Sequence, residues 1–334
     1  MGLPALAISL GDPAGIGPEL IAAAWARREA EHLPPFFVVG GAGILVAAAA
    51  SRGIDLAVSR IGDPAEAAAV FPAALPVLGE DDGAWHPGEP DRAGAALALA
   101  SLTRATQLTV SGAASGIVTA PIAKARLVEL GFTHPGQTEF VAEACGVNAE
   151  DAVMMLAGPQ LRTVPLTVHI SLASVPRMIT TELIVRKARI IAAALRHDCA
   201  IIAPRLAVAA LNPHAGEDGL MGSEDMQIIA PAIAALQAEG IAATGPHPAD
   251  ALFAAHNRTS FDVALCMYHD QALIPIKALD FDLGVNMTLG LLIVRTSPDH
   301  GTAFSIAGKH LASPGAMIAA IRMAGEVAAR RALA

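Results

Sequence analysis

The 334-residue sequence is poor in aromatic residues, in charge and in cysteine. Phe, Trp and Tyr together make up 4% of it, with two tryptophans and one tyrosine. An all-β sandwich draws on aromatic side chains to fill the space between its sheets, so that architecture is disfavoured. Alanine-rich helices covering a sheet of Val, Ile and Leu fit the balance better. Charged residues are 16% of the chain, and the net charge is −9 with no run of Lys or Arg. That argues against a nucleic-acid groove or an anionic membrane surface as partner. A small anionic substrate stays compatible, because a local group of cations overrides the global sign. The three cysteines, Cys145, Cys199 and Cys266, are far apart, show no C-x-x-C spacing, and read as reduced core thiols. Apolar stretches such as the one ending at Ala50 fall short of the roughly 18 residues that span a bilayer. The opening MGLPALAISL lacks a basic leader region, so a cytoplasmic protein is expected.

What is present is a βα alternation. Short apolar runs predict strands at Ala5–Leu10, Pro35–Val39, Ser115–Thr119, Ala152–Leu156, Leu206–Leu211, Val263–Tyr268 and Leu291–Arg295. Longer amphipathic stretches predict helices at Pro18–Glu31, Ala93–Val110, Thr138–Cys145, Thr181–His197, Ser223–Glu239 and Pro314–Arg331. The stretch Pro72–Pro90, with its prolines, glycines and acids, reads as a surface loop. Alternation of this kind implies mainly parallel sheets covered by helices.

Four constellations carry chemistry. The first is Gly11-Asp12-Pro13-Ala14-Gly15-Ile16-Gly17-Pro18-Glu19, directly after the first strand. Glycines at a strand-to-helix turn let backbone approach a ligand closely, yet the spacing is not G-x-G-x-x-G and licenses no Rossmann assignment. A tight turn with no ligand explains it equally well. The second is a set of histidines, His169, His214 and His269, each ending or closely following an apolar run. Singly, each is more often structural. Three in the same topological position suit a catalytic divalent metal, with Asp270 available to orient a ligand through the second ring nitrogen. The third is Lys277, Asn286 and Arg295, a cationic and polar set that suits a phosphate or carboxylate, with solvated surface cations as the bland reading. The fourth is the loop from Ser297 to Lys309, where His300, Gly301, Thr302 and Ser305 suit a nucleotide laid against backbone.

Taken together, these segments resemble the 4-hydroxythreonine-4-phosphate dehydrogenase family over nearly the whole chain, from Ser9 to about Met323. Further matching motifs are Thr119-Ala120-Pro121 with Lys124, Pro135–Phe140, Met154–Ala157, Leu211–Glu217, Pro248-Ala249-Asp250, Met267–Gln271 and Gly284–Asn286. The glycine turn and the His300 loop are also similar to those of isocitrate and isopropylmalate dehydrogenases. The fold this resemblance implies has two α/β/α lobes with a central cleft and is not a Rossmann domain. Residues 1–130 with 280–334 would form a cofactor-side lobe, and residues 131–279 a metal and dimerisation lobe.

The resemblance further implies a homodimer whose active site is shared between subunits. It gives His169, His214 and His269 as metal ligands, for Zn, Mg or Co. Gln137, Thr138, Lys277, Asn286 and Arg295 become substrate contacts, and Gly11, Asp12, His300, Gly301, Thr302 and Ser305 line NAD or NADP. The reaction implied is oxidation of the 3-hydroxyl of 4-phosphooxy-L-threonine, followed by loss of CO2. Lys277 and Asp250 are both candidates for moving the proton. Two positions depart from the pattern. Gln137 stands where the family usually has histidine, which keeps a related substrate such as D-threonate or D-erythronate 4-phosphate in view. Ser305 replaces a usual acid near the cofactor loop, so use of NADP beside NAD is expected. Outside the dehydrogenases, a phosphate acyltransferase of the same fold is the alternative, and it would need no metal.

Overall fold

The structure is a computed structural model that describes residues 2–333. Its strands in chain order are β1 (Leu6–Ser9), β2 (Phe36–Val39), β3 (Val58–Ile61), β4 (Leu75–Leu78), β5 (Ile117–Thr119) and β6 (Val153–Ala157). They continue with β7 (Arg162–Pro165), β8 (Arg205–Ala209), β9 (Ala242–His247), β10 (Val263–Cys266), β11 (Val285–Leu289) and β12 (Arg295–Pro298). With the intervening helices they make a mixed α/β fold of two compact units. One runs up to Ala149 and resumes at Leu291–Leu333; the other is Glu150–Gly290. Both breaks fall further along the chain than the sequence-based ones near 130 and 280.

In the discontinuous unit the strand order is β3-β4-β2-β1-β5-β12, and every pairing is parallel. Parallel strands are covered on both faces, which is why β2, with the sequence FFVV, is buried along its whole length. Phe37, Val39, Ile61, Leu78, Leu102, Leu108 and Ile117 form one core cluster of this unit. The Arg92–Val110 helix begins where the Asp91 carboxylate accepts from the Gly94 amide at 2.6 Å. Its buried Ser101 then ties two strand ends together. The hydroxyl accepts from the Leu10 amide at 2.9 Å and donates to the Val39 carbonyl at 2.7 Å.

In the second unit the order is β11-β6-β7-β10-β8-β9. The β7, β10, β8 and β9 pairings are parallel, whereas β6 pairs antiparallel with both β11 and β7. The Thr181–His197 helix follows its predicted bounds because both signals are strong. The Thr180 hydroxyl accepts from the Leu183 amide at 3.1 Å, and Ile184, Ala188, Ile191 and Leu195 recur on one buried face.

Several sequence-based expectations are corrected. Pro72–Pro90 is not all loop: it holds β4, a buried strand whose four residues are masked by flanking turn residues. Leu291–Val294 is bent, with Leu292 at 78% exposure, so Arg295 opens a strand where it was expected to close one. An apolar run alone does not set strand register. Ala42–Ser51 and His269–Asp280 are helices; the first is apolar nearly all round and the second contains Pro275, so neither shows a clean helical period. The Ser223–Glu239 helix starts as a π-helical turn over Asp225–Ile229. Cys266 is buried, but Cys145 and Cys199 are only half-buried. No helix among the described residues is long and apolar enough to cross a membrane.

Ser101→Ala tests the strand-end tie. It leaves a buried amide and a buried carbonyl without their shared partner, so unfolding free energy should drop by about 1–3 kcal/mol. Denaturant titration reads the change; an unchanged midpoint would mean the tie contributes nothing.

Candidate functional site

In the discontinuous unit the residues gather around Arg295. The register pairs Arg295 with Ile117, so Thr119 lies two positions along β5 on the same face. Arg295 donates to the Thr119 hydroxyl at 2.9 Å and to the Thr138 hydroxyl at 3.1 Å. Only 3% of the residue is exposed. Burial lowers its pKa from the ordinary arginine value to about 10, and the charge of Glu139 opposes that shift. Gln137 and Thr138 open the Gln137–Ala144 helix, whose first amides add a positive field at the same place. Gln137 Nε2 donates to the Ala120 carbonyl at 3.3 Å, and its buried Oε1 finds no hydrogen-bond partner among the described residues. A recessed guanidinium flanked by hydroxyls and a helix start is suited to a small anion.

The glycine turn lies at the end of β1. At Gly11, with φ +74°, a Cβ would fall 2.8 Å from both Ala120 Cβ and the Pro121 carbonyl oxygen; at Gly15 it would fall 2.8 Å from the Thr302 carbonyl oxygen. Close approach of the chain to itself therefore requires these glycines. The turn is stitched to the His300 loop by Ile16 N–H donating to the Thr302 carbonyl at 3.0 Å. Gly88 N–H donates to the Ala14 carbonyl at 2.8 Å, and Pro87 and Trp85 pack toward Gly308. Trp85 went unremarked in the sequence, and its indole Nε1 is buried without a partner among the described residues. In the loop itself His300 Nδ1 donates to the Gly301 carbonyl at 3.1 Å, while Ser305 is exposed. Asp12 is buried and accepts from the Ala14 amide at 3.0 Å through Oδ1. Its Oδ2 finds no partner among the described residues. Burial, helped by the charge of Asp91, raises its pKa above the ordinary 3.8; the Ala14 amide and Arg126 act in the opposite direction.

In the second unit His169 and His269 come together, with ring centroids 5.7 Å apart. Their segments are fastened side by side. The Leu166 amide donates to the Cys266 carbonyl at 2.7 Å, and the Thr167 hydroxyl donates to the Met267 carbonyl at 2.8 Å. The buried Gln271 accepts from the Met267 amide at 2.6 Å and donates to the Ala210 carbonyl at 2.7 Å, linking the ends of β10 and β8. The Asp270 carboxylate is 2.7 Å from His269 Nδ1. A carboxylate only accepts, so Nδ1 carries a proton, and the neutral imidazole then has its Nε2 lone pair available. A cavity of about 240 Å³ beside the pair is lined by Thr167, His169, Leu172, Val175, Tyr268 and His269.

His214 is exposed on its own loop after β8. Among the described residues no three His, Cys, Asp or Glu side chains form a group that could hold a metal. Within one chain His169 and His269 come together, and His214 stands apart from that pair. The pair fits two ligand positions of a divalent ion. Asp250 is exposed in the short Ala249–Leu252 helix. Lys277 is half-buried, with Nζ 6.0 Å from the Phe281 ring centroid. Asn286 lies in β11 opposite Leu156, with its Oδ1 buried and unpartnered among the described residues.

The chain is an enzyme of mixed α/β fold, with a recessed cation among hydroxyls in one unit and paired imidazoles at strand ends in the other. The chain belongs to the family described as pyridoxal phosphate biosynthetic protein PdxA, which matches residues 32–324. It is 63% identical over 327 residues to the 4-hydroxythreonine-4-phosphate dehydrogenase of Erythrobacter litoralis, covering 98% of this chain and 97% of that one. It is 53% identical to the protein of the same name from Zymomonas mobilis, covering 98% and 96%. The crystal structure of the 4-hydroxythreonine-4-phosphate dehydrogenase from Klebsiella pneumoniae superposes with a TM-score of 0.85 at 37% identity, covering 97% of this chain and 98% of that one.

Asp12→Asn tests the buried carboxylate. Because its pKa is raised on folding, the ionised form destabilises the protein at neutral pH, and this penalty disappears as pH falls below the ordinary value of 3.8. The variant should therefore unfold at a higher temperature than the native protein at pH 7 and lose that advantage in acid. A lower melting temperature at pH 7 would show that Oδ2 has a donor.

Proposed function

We propose that this chain oxidises the 3-hydroxyl of 4-phosphooxy-L-threonine with NAD or NADP, and that the β-keto acid formed loses CO2 to give 3-amino-2-oxopropyl phosphate for pyridoxal 5'-phosphate synthesis. The observation that carries this reading is the near-full-length 63% identity to a relative of that name. The anion-suited surroundings of Arg295 support it.

In this reading the Arg295 fork, the Thr138 hydroxyl and the helix start at Gln137 take the substrate phosphate, and Lys277 and Asn286 make further substrate contacts. A bound nicotinamide would supply the hydride acceptor, and Lys277 or Asp250 would take the hydroxyl proton. His169 and His269, with His214 contributed in a homodimer, would hold a divalent ion of the Zn, Mg or Co type. When bound, such an ion supplies positive charge that favours alkoxide character as hydride leaves and enolate character as CO2 leaves. Gly11, Asp12, Gly301 and Thr302 bring backbone close to the dinucleotide, and His300 offers a flat face to its adenine. The enzyme would work in the cytoplasm.

Gln137 favours a second reading within the class. An amide donates and accepts hydrogen bonds but carries no charge and does not titrate. A related four-carbon acid phosphate, D-threonate or D-erythronate 4-phosphate, is the competing substrate.

The experiment is turnover of these phosphates by the purified protein with NAD or NADP, with and without chelation and metal return. Metal-dependent NAD(P)H formation from 4-phosphooxy-L-threonine is expected; preferential turnover of a hydroxy-acid phosphate would transfer the assignment to it. Arg295→Lys should raise KM for the phosphorylated substrate about tenfold or more, since a point charge replaces a bidentate fork. An unchanged KM would remove Arg295 from the phosphate site. Cofactor choice is tested separately. The native protein should use NADP at a rate comparable to NAD, and Ser305→Asp should shift preference toward NAD because a carboxylate repels the 2'-phosphate. A strong native NAD preference that the substitution leaves unaltered would mean that Ser305 does not face the ribose.

A further inference from the structure

The loop that carries His214 is built at a high conformational cost. His214, Ala215, Gly216, Glu217 and Asp218 all have positive φ, at 51°, 53°, 79°, 42° and 54°. Four of these are not glycine, and a left-handed backbone crowds the Cβ of an L-residue against the following carbonyl oxygen. Such a run persists only where its surroundings over-determine it. Inside the loop, the Met221 amide donates to the Gly216 carbonyl at 3.0 Å and the Leu220 amide to the Glu217 carbonyl at 3.1 Å.

The stronger constraint sits at its base. Asp225 is fully buried, at 0% exposure. Its Oδ1 accepts from the Leu211 amide at 2.8 Å, and its Oδ2 accepts from the Asn212 amide at 3.2 Å and from Asn212 Nδ2 at 2.9 Å. The same Asn212 Nδ2 donates to Glu224 Oε2 at 2.9 Å, which helps hold the Glu224 carboxyl below its usual pKa behind its backbone contacts. Asp225 opens the π-helical turn Asp225–Ile229, and with Glu224 just before it two successive carboxylates meet one asparagine. One buried carboxylate thus fixes the backbone just upstream of His214, where the chain leaves β8.

We propose that Asp225 is the positioning residue for His214, holding its left-handed loop in the conformation from which the imidazole ligates a divalent ion. The inference rests on the reading of His214 as a ligand. Asp225 touches neither substrate nor ion; it acts through Leu211 and Asn212. A side chain that only closed off a strand would leave metal affinity unaltered when weakened.

The experiment titrates the purified full-length protein, stripped of metal, with Co2+ by calorimetry, comparing native, Asp225→Asn, Glu224→Gln and His214→Ala. The asparagine keeps the shape but turns an amide donor toward backbone donors, so Co2+ affinity should fall about tenfold or more. Hydrogen exchange across residues 213–219 should rise in parallel, and NAD(P)H affinity should stay at the native value. Glu224→Gln, which loosens only the Asn212 amide, should act in the same direction with smaller effect. It keeps the inference testable if Asp225→Asn does not fold. Native Co2+ affinity in a folded Asp225→Asn, or in Glu224→Gln if that is the variant available, alongside loss of affinity in His214→Ala, overturns the proposal and leaves the metal reading standing. Native affinity in His214→Ala overturns that reading, and this proposal with it.

Discussion

Arg295 is a full cation at 3% exposure, at the first position of a parallel strand. A charge taken out of water is costly unless hydrogen bonds and countercharge compensate it. Here compensation comes from two threonine hydroxyls and the more distant carboxylate of Glu139, and the pKa still falls to about 10. Much of the discontinuous unit can be understood as what holds that side chain in place. β5 supplies Thr119, the helix after Gly136 supplies Thr138, and the parallel register brings both within reach.

A second device recurs in both units. Short polar side chains, themselves buried, fasten the ends of neighbouring strands where the functional loops begin. Ser101 joins the ends of β1 and β2, Thr167 and Gln271 join the segments carrying His169 and His269, and Asp225 fixes the exit from β8. Strand ends are where the ladder stops supplying partners, so backbone amides and carbonyls there need other groups. Supplying them from buried side chains, most of them on helices, converts a fraying edge into a fixed frame. The loops above can then hold unfavourable backbone, as the His214 loop does.

Much of this was legible in the sequence, for identifiable reasons. The βα alternation, the long helices and the α/β class follow from apolar periodicity. The family follows from many ordered motifs in one chain. Less legible were elements whose local signal is masked: β4 between turn residues, the helix through Pro275, and the all-apolar Ala42–Ser51 helix. The leading candidate residues drew notice because they lie in dense motifs. Their supports were overlooked because a serine, a glutamine or an aspartate on a helix reads as a solvated face. Gln271, inside the Met267–Gln271 motif, was the one whose position could have suggested a role.

By itself, then, the sequence determined which residue types are available for chemistry and in what order along the chain. Side-chain chemistry and local periodicity are properties of short segments. Tertiary structure alone decided which of them meet. Arg295 reaches Thr119 and Thr138 because parallel register aligns strands far apart in sequence. His169 and His269 pair because β7 lies beside β10, while His214, on the next strand over, is held apart on a loop with its own backbone geometry. The glycines of the N-terminal turn are required by the close approach of Ala120, Pro121 and Thr302, contacts that no local pattern encodes.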